Sequence, residues 1–282
     1  MTDSFSNLSL APTLARAVAE MGYESMTPIQ AQAIPVVLTG QDVMGAAQTG
    51  TGKTAAFVLP ILQKLSNSKP VASGMVKVLI LVPTRELAAQ VLESVTTYGD
   101  NEKIKACAVF GGVNINPQLQ RVHKGVDILV ATPGRLQDLI DRRAVSLQSL
   151  EILVLDEADR MLDMGFHREI SKIIGFLPDK RQNLLFSATF SKDIKSLAQG
   201  ILNHPVNIET NPENSTVEAI NQYVYKVDKV RKTELIIKLI KDGDWDQVLV
   251  FTRTKHGANN LCKKMKSSDI NAMAIHGNKS QT

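Results

Sequence analysis

A loop near the start of the chain combines glycines, threonines and a lysine in the spacing that binds phosphate. The loop is Ala47-Gln48-Thr49-Gly50-Thr51-Gly52-Lys53-Thr54, and a helix is predicted to begin at Lys53. Glycines let successive backbone N–H groups converge on a phosphate, and the start of a helix adds favourable potential. We expect residues 48–54 to bind a nucleoside triphosphate, with Lys53 on the β and γ phosphates and Thr54 on Mg²⁺. The structural alternative is a glycine-rich turn ahead of a core helix.

Adjacent carboxylates follow a second apolar run. Residues 151–155 predict a buried strand, and Asp156-Glu157-Ala158-Asp159 come directly after it. In a parallel sheet these side chains would emerge at the carboxyl ends of the strands, where α/β proteins bind ligands. We expect Asp156 to hold Mg²⁺ and Glu157 to orient and deprotonate an attacking water. The alternative is an ordinary acidic helix start, since carboxylates favour the first turn.

The elements that would position these residues alternate along the chain. Short apolar runs separated by amphipathic segments predict a parallel sheet flanked by helices, which is the α/β class. The predicted strands are 76–82, 106–110, 127–131, 152–155 and 183–186. The predicted helices are 12–21, 27–38, 53–65, 85–98, 134–142, 167–177 and 192–202.

The amino-acid composition changes near residue 209. A stretch rich in Pro, Asn and Ser predicts a linker over 209–217, which separates a domain at 1–208 from a second one at 218–282. The second segment predicts strands at 222–227, 247–252 and 272–275, with helices at 232–241 and 258–265. A parallel domain of this length would leave its sheet edges uncovered. We therefore interpret residues 218–282 as the first part of a second domain.

Composition excludes several classes of protein. Hydrophobic residues make up 44% and charged residues 21% of the 282 residues, a globular balance that excludes wholesale disorder. The two cysteines, Cys107 and Cys262, predict neither a disulfide framework nor a zinc site. The N-terminus lacks a signal-peptide pattern, and no apolar run is long enough to span a bilayer. We therefore expect a cytoplasmic protein outside the membrane.

Charge is unevenly distributed along the chain. The net charge is +4, and the whole excess lies in residues 211–282, which hold 12 basic and 8 acidic residues. This asymmetry favours an anionic partner for the second segment. A solvated basic face on a small domain is the alternative.

Together with their neighbours, these motifs resemble the DEAD-box ATP-dependent RNA helicases, in order from Phe5 to Gln281. Residues 22–30, Gly-Tyr-Glu-Ser-Met-Thr-Pro-Ile-Gln, are similar to the family's Q motif. The resemblance implies that Gln30 reads adenine while Tyr23 stacks on it. A side-chain amide donates and accepts at once, which suits that role. Alone, residues 27–30 would indicate a helix N-cap followed by Pro.

Three further motifs resemble those that bind one RNA strand in the first domain of the family. Each follows a predicted strand, where hydroxyls, glycine amides and arginine suit phosphate and sugar contacts without reading bases. Taken singly, each is typical of a capped strand-to-helix turn. A fourth, at 248–255, resembles the family's motif IV in the second domain, with a basic strand exit as the alternative. The implied RNA-binding residues are Thr84, Arg85, Gly111, Gly112, Thr132, Gly134, Arg135, Thr254 and Lys255.

Ser187-Ala188-Thr189 resembles the family motif that couples the ATP state to the hold on RNA. The hydroxyls of Ser187 and Thr189 are expected to bond the carboxylates of the 156–159 segment, with Asp159 included in this coupling. A helix cap ahead of Ser191 is the alternative interpretation.

The resemblance implies a function for the whole chain. It implies RecA-like domains, ATP and Mg²⁺ as cofactors, and sequence-tolerant binding of single-stranded RNA coupled to local unwinding. The residues 276–281, His-Gly-Asn-Lys-Ser-Gln, are similar to the bacterial RhlE-type subgroup. The resemblance to the helicase family also favours a monomer, with ribosome-assembly or RNA-decay proteins as partners.

The family pattern would continue beyond Thr282 with the motif that supplies an arginine finger. Losing such a finger costs about 10³ to 10⁵ in rate. We therefore expect weak ATP hydrolysis and no unwinding from the 282 residues as given. The alternatives are a non-catalytic adenine-nucleotide and RNA binding module, and a P-loop NTPase that works on protein or DNA.

Overall fold

The structure of the protein, a computed structural model, describes residues 4–48, 50–66, 68–69, 71–100, 103–210, 221–243 and 245–279. The chain divides into two compact units, Met1–Ser215 and Thr216–Thr282. Most of the predicted linker, 211–217, lies outside the described residues. Glu209 and Thr210 belong to the first unit, because the Thr210 amide donates to the Ala46 carbonyl at 3.1 Å.

Seven parallel strands form one sheet in the first unit. Their order across the sheet is β3-β4-β2-β5-β6-β1-β7. All six pairings are parallel, so every strand ends at the same edge of the sheet. The strands are β1 Val43–Ala46, β2 Val76–Leu81, β3 Ala106–Val109, β4 Val126–Ala131, β5 Ile152–Leu155, β6 Gln182–Ser187 and β7 Val206–Glu209.

Nine helices of the described residues connect and cover these strands in the first unit. They are α1 Pro12–Glu20, α2 Pro28–Thr39, α3 Lys53–Leu65, α4 Arg85–Tyr98, α5 Asn116–His123, α6 Pro133–Asp141, α7 Ala158–Asp163, α8 His167–Ile174 and α9 Lys192–Gln199. A short 3₁₀ helix, Phe5–Asn7, precedes them. None of the helices in the described ranges has the length and apolar content that a bilayer span requires.

The sheet is buried on both faces because its strands are apolar at successive positions. Val78 and Ile80 of β2 belong to a core that includes residues of α1 to α4. Leu79 and Leu81 point the other way, into a core that includes residues of α5 to α9. The result is a three-layer α/β sandwich, which confirms the predicted fold class.

Besides the 3₁₀ helix, four elements of the first unit are not among the predicted ones. Helix α5 has a polar sequence, helix α7 has only six residues, strand β1 has only four, and strand β7 has a single buried residue, Ile208. Each therefore has too few apolar positions to show a period in the sequence.

The second unit differs from its prediction. It contains α10 Lys232–Asp242 and α11 Lys255–Lys266, close to the predicted helices, and a 3₁₀ turn at Lys229–Arg231. The strands predicted at 222–227, 247–252 and 272–275 are not formed in the described residues. Their apolar side chains are exposed, with Val224 at 93% and Phe251 at 88%. A strand needs a neighbour to bond its backbone, and the described part of this unit supplies none.

Candidate functional site

The strand order places the phosphate loop and the acidic segment near each other. The loop follows β1, the acidic segment follows β5, and β6 with Ser187 at its end lies between them. Neighbouring strands are about 4.8 Å apart, so the ends of β1 and β5 are separated by about 10 Å. Ser187 is at the level of Ala46 in the register. Both chemical groups therefore open at one end of the same sheet.

The described part of the phosphate loop is closed on itself. Gly52 caps α3 with a φ of 87°, and Gly50 has a φ of 80°. The Lys53 ammonium is buried and donates to the Ala47 carbonyl at 2.6 Å. Thr54, in the first turn of α3, is half-buried. Thr49 lies outside the described residues.

Neighbours hold the rest of this loop in place. The Thr51 hydroxyl donates to the Gln48 carbonyl at 2.7 Å. The Ala47 amide donates to the Ser187 carbonyl at 3.1 Å, which ties the loop to β6. The turn is thus anchored at its base while Gln48 and Gly50 are exposed.

Asp156 is a buried carboxylate, only 2% exposed. Burial raises its pKa to about 6, and the nearby positive charge of Lys53 opposes that rise. The carboxylate also accepts a hydrogen bond from the Glu157 amide at 3.0 Å. Lys53 lies close enough to Asp156 to lower its pKa, so the two charges are near each other; their joint role in binding stays a prediction.

Glu157 adopts an uncommon backbone conformation. Its φ is 52° and its ψ is 50°, in the left-handed region, at the cap of α7. Such a conformation costs a non-glycine residue about 1–2 kcal/mol. Strain of this kind concentrates at functional sites, where the surrounding structure holds it in place. Here it turns the Glu157 side chain away from the direction that a helical residue would take.

Asp159 contacts the segment after β6, but through a different group from the one expected. Its carboxylate accepts from the Ala188 amide at 3.2 Å. The Ser187 hydroxyl is buried and accepts from the Thr189 amide at 3.3 Å instead of donating to a carboxylate. No hydrogen bond of the Thr189 hydroxyl is present in the described residues. The backbone makes this contact because the strand ends at Ser187, which leaves the following amides without a ladder partner.

Gln30, one of the two residues predicted to bind adenine, lies beside the phosphate loop. Gln30 is buried; its Nε2 donates to the Gly52 carbonyl at 3.1 Å, and its Oε1 accepts from the Thr27 amide at 2.9 Å. A side-chain amide has two N–H donors and two acceptor lone pairs. One donor and one acceptor of Gln30 therefore remain for a ligand, which is the pair needed to read the adenine edge.

Tyr23 is held by two aromatic residues. Its ring is stacked with Phe5 at 6.2 Å between centroids and an interplanar angle of 21°. Its hydroxyl is 3.3 Å from that of Tyr98, at the end of α4. Burial is the main cause that raises the pKa of the Tyr98 hydroxyl. Sequence reasoning missed Tyr98, because nothing local marks its contact with a residue 75 positions away.

The other half of the sheet edge carries the residues expected to bind RNA. Strands β3, β4 and β2 are adjacent, and each is followed by one of these motifs. A Cβ added to Gly112 would lie 3.4 Å from Nη1 of Arg85, so the first two motifs meet. Arg135 Nη2 donates to the Val113 carbonyl at 2.9 Å, so the third meets the second.

Arg135 has unused hydrogen-bonding capacity. Its side chain is 9% exposed, and its nearest carboxylate oxygen, on Asp138, is 3.8 Å from Nε. Neither Nε nor Nη1 has a hydrogen-bond partner in the described residues. Buried unsatisfied donors are costly, which favours an anionic ligand at this position.

The remaining residues of this half either cap a helix, are buried, or lack a side chain beside an open surface. The Thr84 hydroxyl caps α4 by accepting from the Leu87 amide at 3.2 Å. Thr132 is buried, and a Cβ added to Gly134 would meet nothing within 4 Å. The open approach at Gly134 leaves the start of α6 accessible.

Thr254 and Lys255 belong to the second unit and are described only within it. The Thr254 hydroxyl caps α11 by accepting from the Gly257 amide at 3.0 Å. The Lys255 ammonium donates to Asn278 Oδ1 at 2.8 Å, and both side chains are exposed. Their predicted RNA contacts therefore stay predictions.

Known proteins that are similar to this chain are helicases. Residues 27–197 match the family described as DEAD/DEAH box helicase. The chain is 41% identical over 277 residues to the ATP-dependent RNA helicase CshA of Limosilactobacillus reuteri, covering 98% of this chain and 55% of that protein. It is 39% identical over 278 residues to the DEAD-box ATP-dependent RNA helicase RhpA of Helicobacter pylori, covering 99% of this chain and 56% of that protein.

A solved structure is also similar. The crystal structure of a DEAD box protein from the hyperthermophile Methanococcus jannaschii matches with a TM-score of 0.69 and 32% identity. The match covers 99% of this chain and 74% of that one. This chain spans about half the length of the curated relatives that it matches.

Proposed function

Because the chain belongs to the DEAD/DEAH box helicase family, we propose that it acts as an ATP-dependent RNA helicase. The observation that carries this proposal is the single sheet edge on which two sets of residues lie side by side. One half of the edge, at β1, β6 and β5, bears the phosphate loop and the carboxylates. The other half, at β2, β4 and β3, bears two arginines and exposed glycine amides suited to a phosphate backbone.

On the nucleotide half, each residue has a role that follows from its chemistry. Lys53 would exchange its bond to the Ala47 carbonyl for the phosphates, a stronger, charge-assisted contact. Glu157 would accept a proton from the attacking water. Gln30 would use its remaining donor and acceptor on adenine, while Tyr23 stacks on the ring.

The oxygen atoms of Thr54 and Asp156 fit Mg²⁺, which is a hard cation. The described residues contain no group of three or more His, Cys, Asp or Glu placed to hold a metal ion. Mg²⁺ often binds through one or two carboxylates plus substrate phosphates, so the nucleotide would supply most of its ligands. When bound, the ion would neutralise charge on the phosphates, and its own charge would keep Asp156 ionised.

Coupling between the halves would pass through the segment after β6. Ser187 bonds the phosphate loop through its carbonyl, and Ala188 bonds Asp159 through its amide. A change at either partner therefore alters the geometry of the same three-residue segment. This supports Ser187 and Asp159 as coupling residues, and Thr189 joins them through its amide, which donates to the Ser187 hydroxyl.

On the RNA half, the groups suit phosphate and sugar, so binding would tolerate any sequence. Phosphate contacts release counterions, and the logarithm of affinity should fall with the logarithm of salt by about 0.7 per phosphate. Thr254 and Lys255 would add contacts from the second unit. We infer a cytoplasmic monomer, whose partners include RNA and proteins of ribosome assembly or RNA decay.

The test is the rate of ATP hydrolysis with and without single-stranded RNA, for the wild type and for Glu157→Gln. Removing a general base should lower turnover by about 10² to 10⁴, while the affinity for a fluorescent ATP analogue stays within a few-fold. Glu20→Gln, an exposed glutamate at the end of α1, is the matched control and should match the wild type.

The outcomes separate the candidate functions. RNA-stimulated hydrolysis that depends on Glu157 supports a helicase motor. Binding of nucleotide and RNA together without turnover favours the non-catalytic module instead. If single-stranded DNA competes as well as RNA in the presence of a nonhydrolysable ATP analogue, RNA is not the preferred strand and the proposal fails.

A further inference from the structure

A side chain of α5 holds the main chain just after strand β3. Gln118 is 6% exposed and faces Phe110, the first residue after the strand. Its Oε1 accepts from the Phe110 amide at 3.1 Å, and its Nε2 donates to the Phe110 carbonyl at 3.2 Å. One side-chain amide thus satisfies both backbone groups of one residue, as a neighbouring strand would.

The position of this contact gives it a consequence for the adjacent loop. Strand β3 is at the edge of the sheet, so one side of it has no neighbouring strand. Without Gln118, the main chain would lose its fixed path at Val109. The double hydrogen bond extends that path by one residue, up to the position directly before Gly111.

The same loop is fixed at its other end by Arg135. Its Nη2 donates to the Val113 carbonyl at 2.9 Å. Between these two attachment points lie Gly111 and Gly112, both exposed, and Gly112 has a φ of 80°. The amides of these two glycines make no hydrogen bond within the described residues. Two free N–H groups therefore lie in a loop that is held on both sides.

We propose that Gln118 is a positioning residue for RNA binding, which presents the Gly111 and Gly112 amides to a phosphate of the bound strand. This inference rests on the proposed RNA-binding function. Gln118 does not itself touch RNA; it lowers the entropic cost of ordering the loop when the strand binds. Arg135 supplies charge at the same place, since two of its nitrogens have no hydrogen-bond partner in the described residues.

The primary test compares Gln118→Leu with Gln120→Leu in the 282-residue chain. Leucine has a similar size but can make neither bond to Phe110. Gln120 is on the same helix, is exposed, and serves as the matched control. Two lost hydrogen bonds predict an RNA affinity about tenfold weaker for Gln118→Leu. The probe is a fluorescent oligouridylate with a nonhydrolysable ATP analogue, and the affinity for the analogue alone should not change.

A second measurement separates positioning from general destabilisation. A Cβ on Gly112 is strained at this φ and comes within 3.4 Å of Arg85 Nη1, so Gly112→Ala should also weaken RNA binding. If Gln118 acts through the glycine loop, the two losses should not add in the double variant. Should Gln118→Leu fold poorly, Gln118→Glu replaces it, because glutamate can still accept from the Phe110 amide but places a second acceptor oxygen against the Phe110 carbonyl.

Each outcome decides the inference. A tenfold loss for RNA alone, with non-additive coupling to Gly112, supports it. Three results overturn it and leave the helicase proposal intact. They are unchanged RNA binding by Gln118→Leu, an equal loss of affinity for the nucleotide analogue, and losses that add in the double variant. Absence of RNA binding by the wild type would instead remove the RNA arm of the proposed function, and this inference with it.

Discussion

The buried carboxylate of Asp156 should make the ligand-free protein less stable, so that Asp156→Asn stabilises it. Asparagine keeps the shape of the side chain and can still accept from the Glu157 amide. The pKa of Asp156 is raised from 3.8 to about 6, chiefly by burial. At about 1.36 kcal/mol per pKa unit, ionised Asp156 costs the folded state about 3 kcal/mol at neutral pH. The attraction of Lys53 is already contained in that shift.

The pH dependence of this effect has a definite sign. The folded protein binds the Asp156 proton more tightly than the unfolded chain does, so the free energy of unfolding falls as pH rises from 3.8 to about 6. The full decrease in the free energy of unfolding is present above about pH 6, and none of it is present below pH 3.8. The advantage of Asp156→Asn should therefore be about 3 kcal/mol at pH 7.5 and about half of that at pH 5.

Urea denaturation at these two pH values, without nucleotide or magnesium, measures the effect. Asp163→Asn, an exposed aspartate of α7, is the matched control and should leave stability unchanged at both. A variant no more stable than the wild type at pH 7.5, or an equal gain at both pH values, would refute the reasoning. Magnesium with ATP should then stabilise the wild type more than Asp156→Asn, because the variant lacks one ligand of the metal.

Two further predictions concern the loop and the opposite end of the sheet. Gly50→Ala and Gly52→Ala both place a side chain at positive φ, but only the Gly52 Cβ would collide with Gln30, at 2.4 Å from Nε2. Equilibrium titration with a fluorescent ATP analogue should show a greater loss of affinity for Gly52→Ala, and equal losses would contradict a role for this close packing. Asp42→Ala removes a buried carboxylate that accepts from the Asn183 amide at 2.7 Å and from its side chain at 3.0 Å. Urea denaturation should show a free energy of unfolding lower by about 3 kcal/mol, and an unchanged midpoint would count against this. Nucleotide affinity should be retained, because Asp42 precedes β1 and the phosphate loop follows the other end of that strand.

Features set by local sequence were predicted closely. The bounds of α3, α4 and β5 are those expected from the sequence. Helix α4 begins where Thr84 can cap it, and α9 begins after Ser191, whose hydroxyl accepts from the Ile194 amide at 3.3 Å. These signals lie within a few residues of the boundary that they set, so the sequence alone contains them.

Contacts between distant segments were predicted only where strand order constrained them. The carboxyl ends of parallel strands must share an edge, so the proximity of Lys53 and Asp156 followed from assigning both loops to one sheet. Which atoms meet did not follow. The choice of the Ala188 amide over a hydroxyl depends on where β6 ends, and the pairing of Tyr23 with Tyr98 depends on how α4 packs.

The second unit shows why an apolar run is a weaker predictor than a helix period. Helix α11 satisfies its backbone within its own residues, and Thr254 caps its start. Residues 247–252 have the composition of a buried strand, yet Leu249 is 74% exposed. A strand closes its hydrogen bonds only with another strand, so its formation depends on residues outside the run. The same reasoning applies to Gln118. At a sheet edge a single side-chain amide can supply the missing hydrogen-bond partner, and the sequence of α5 has no periodicity that would predict this contact.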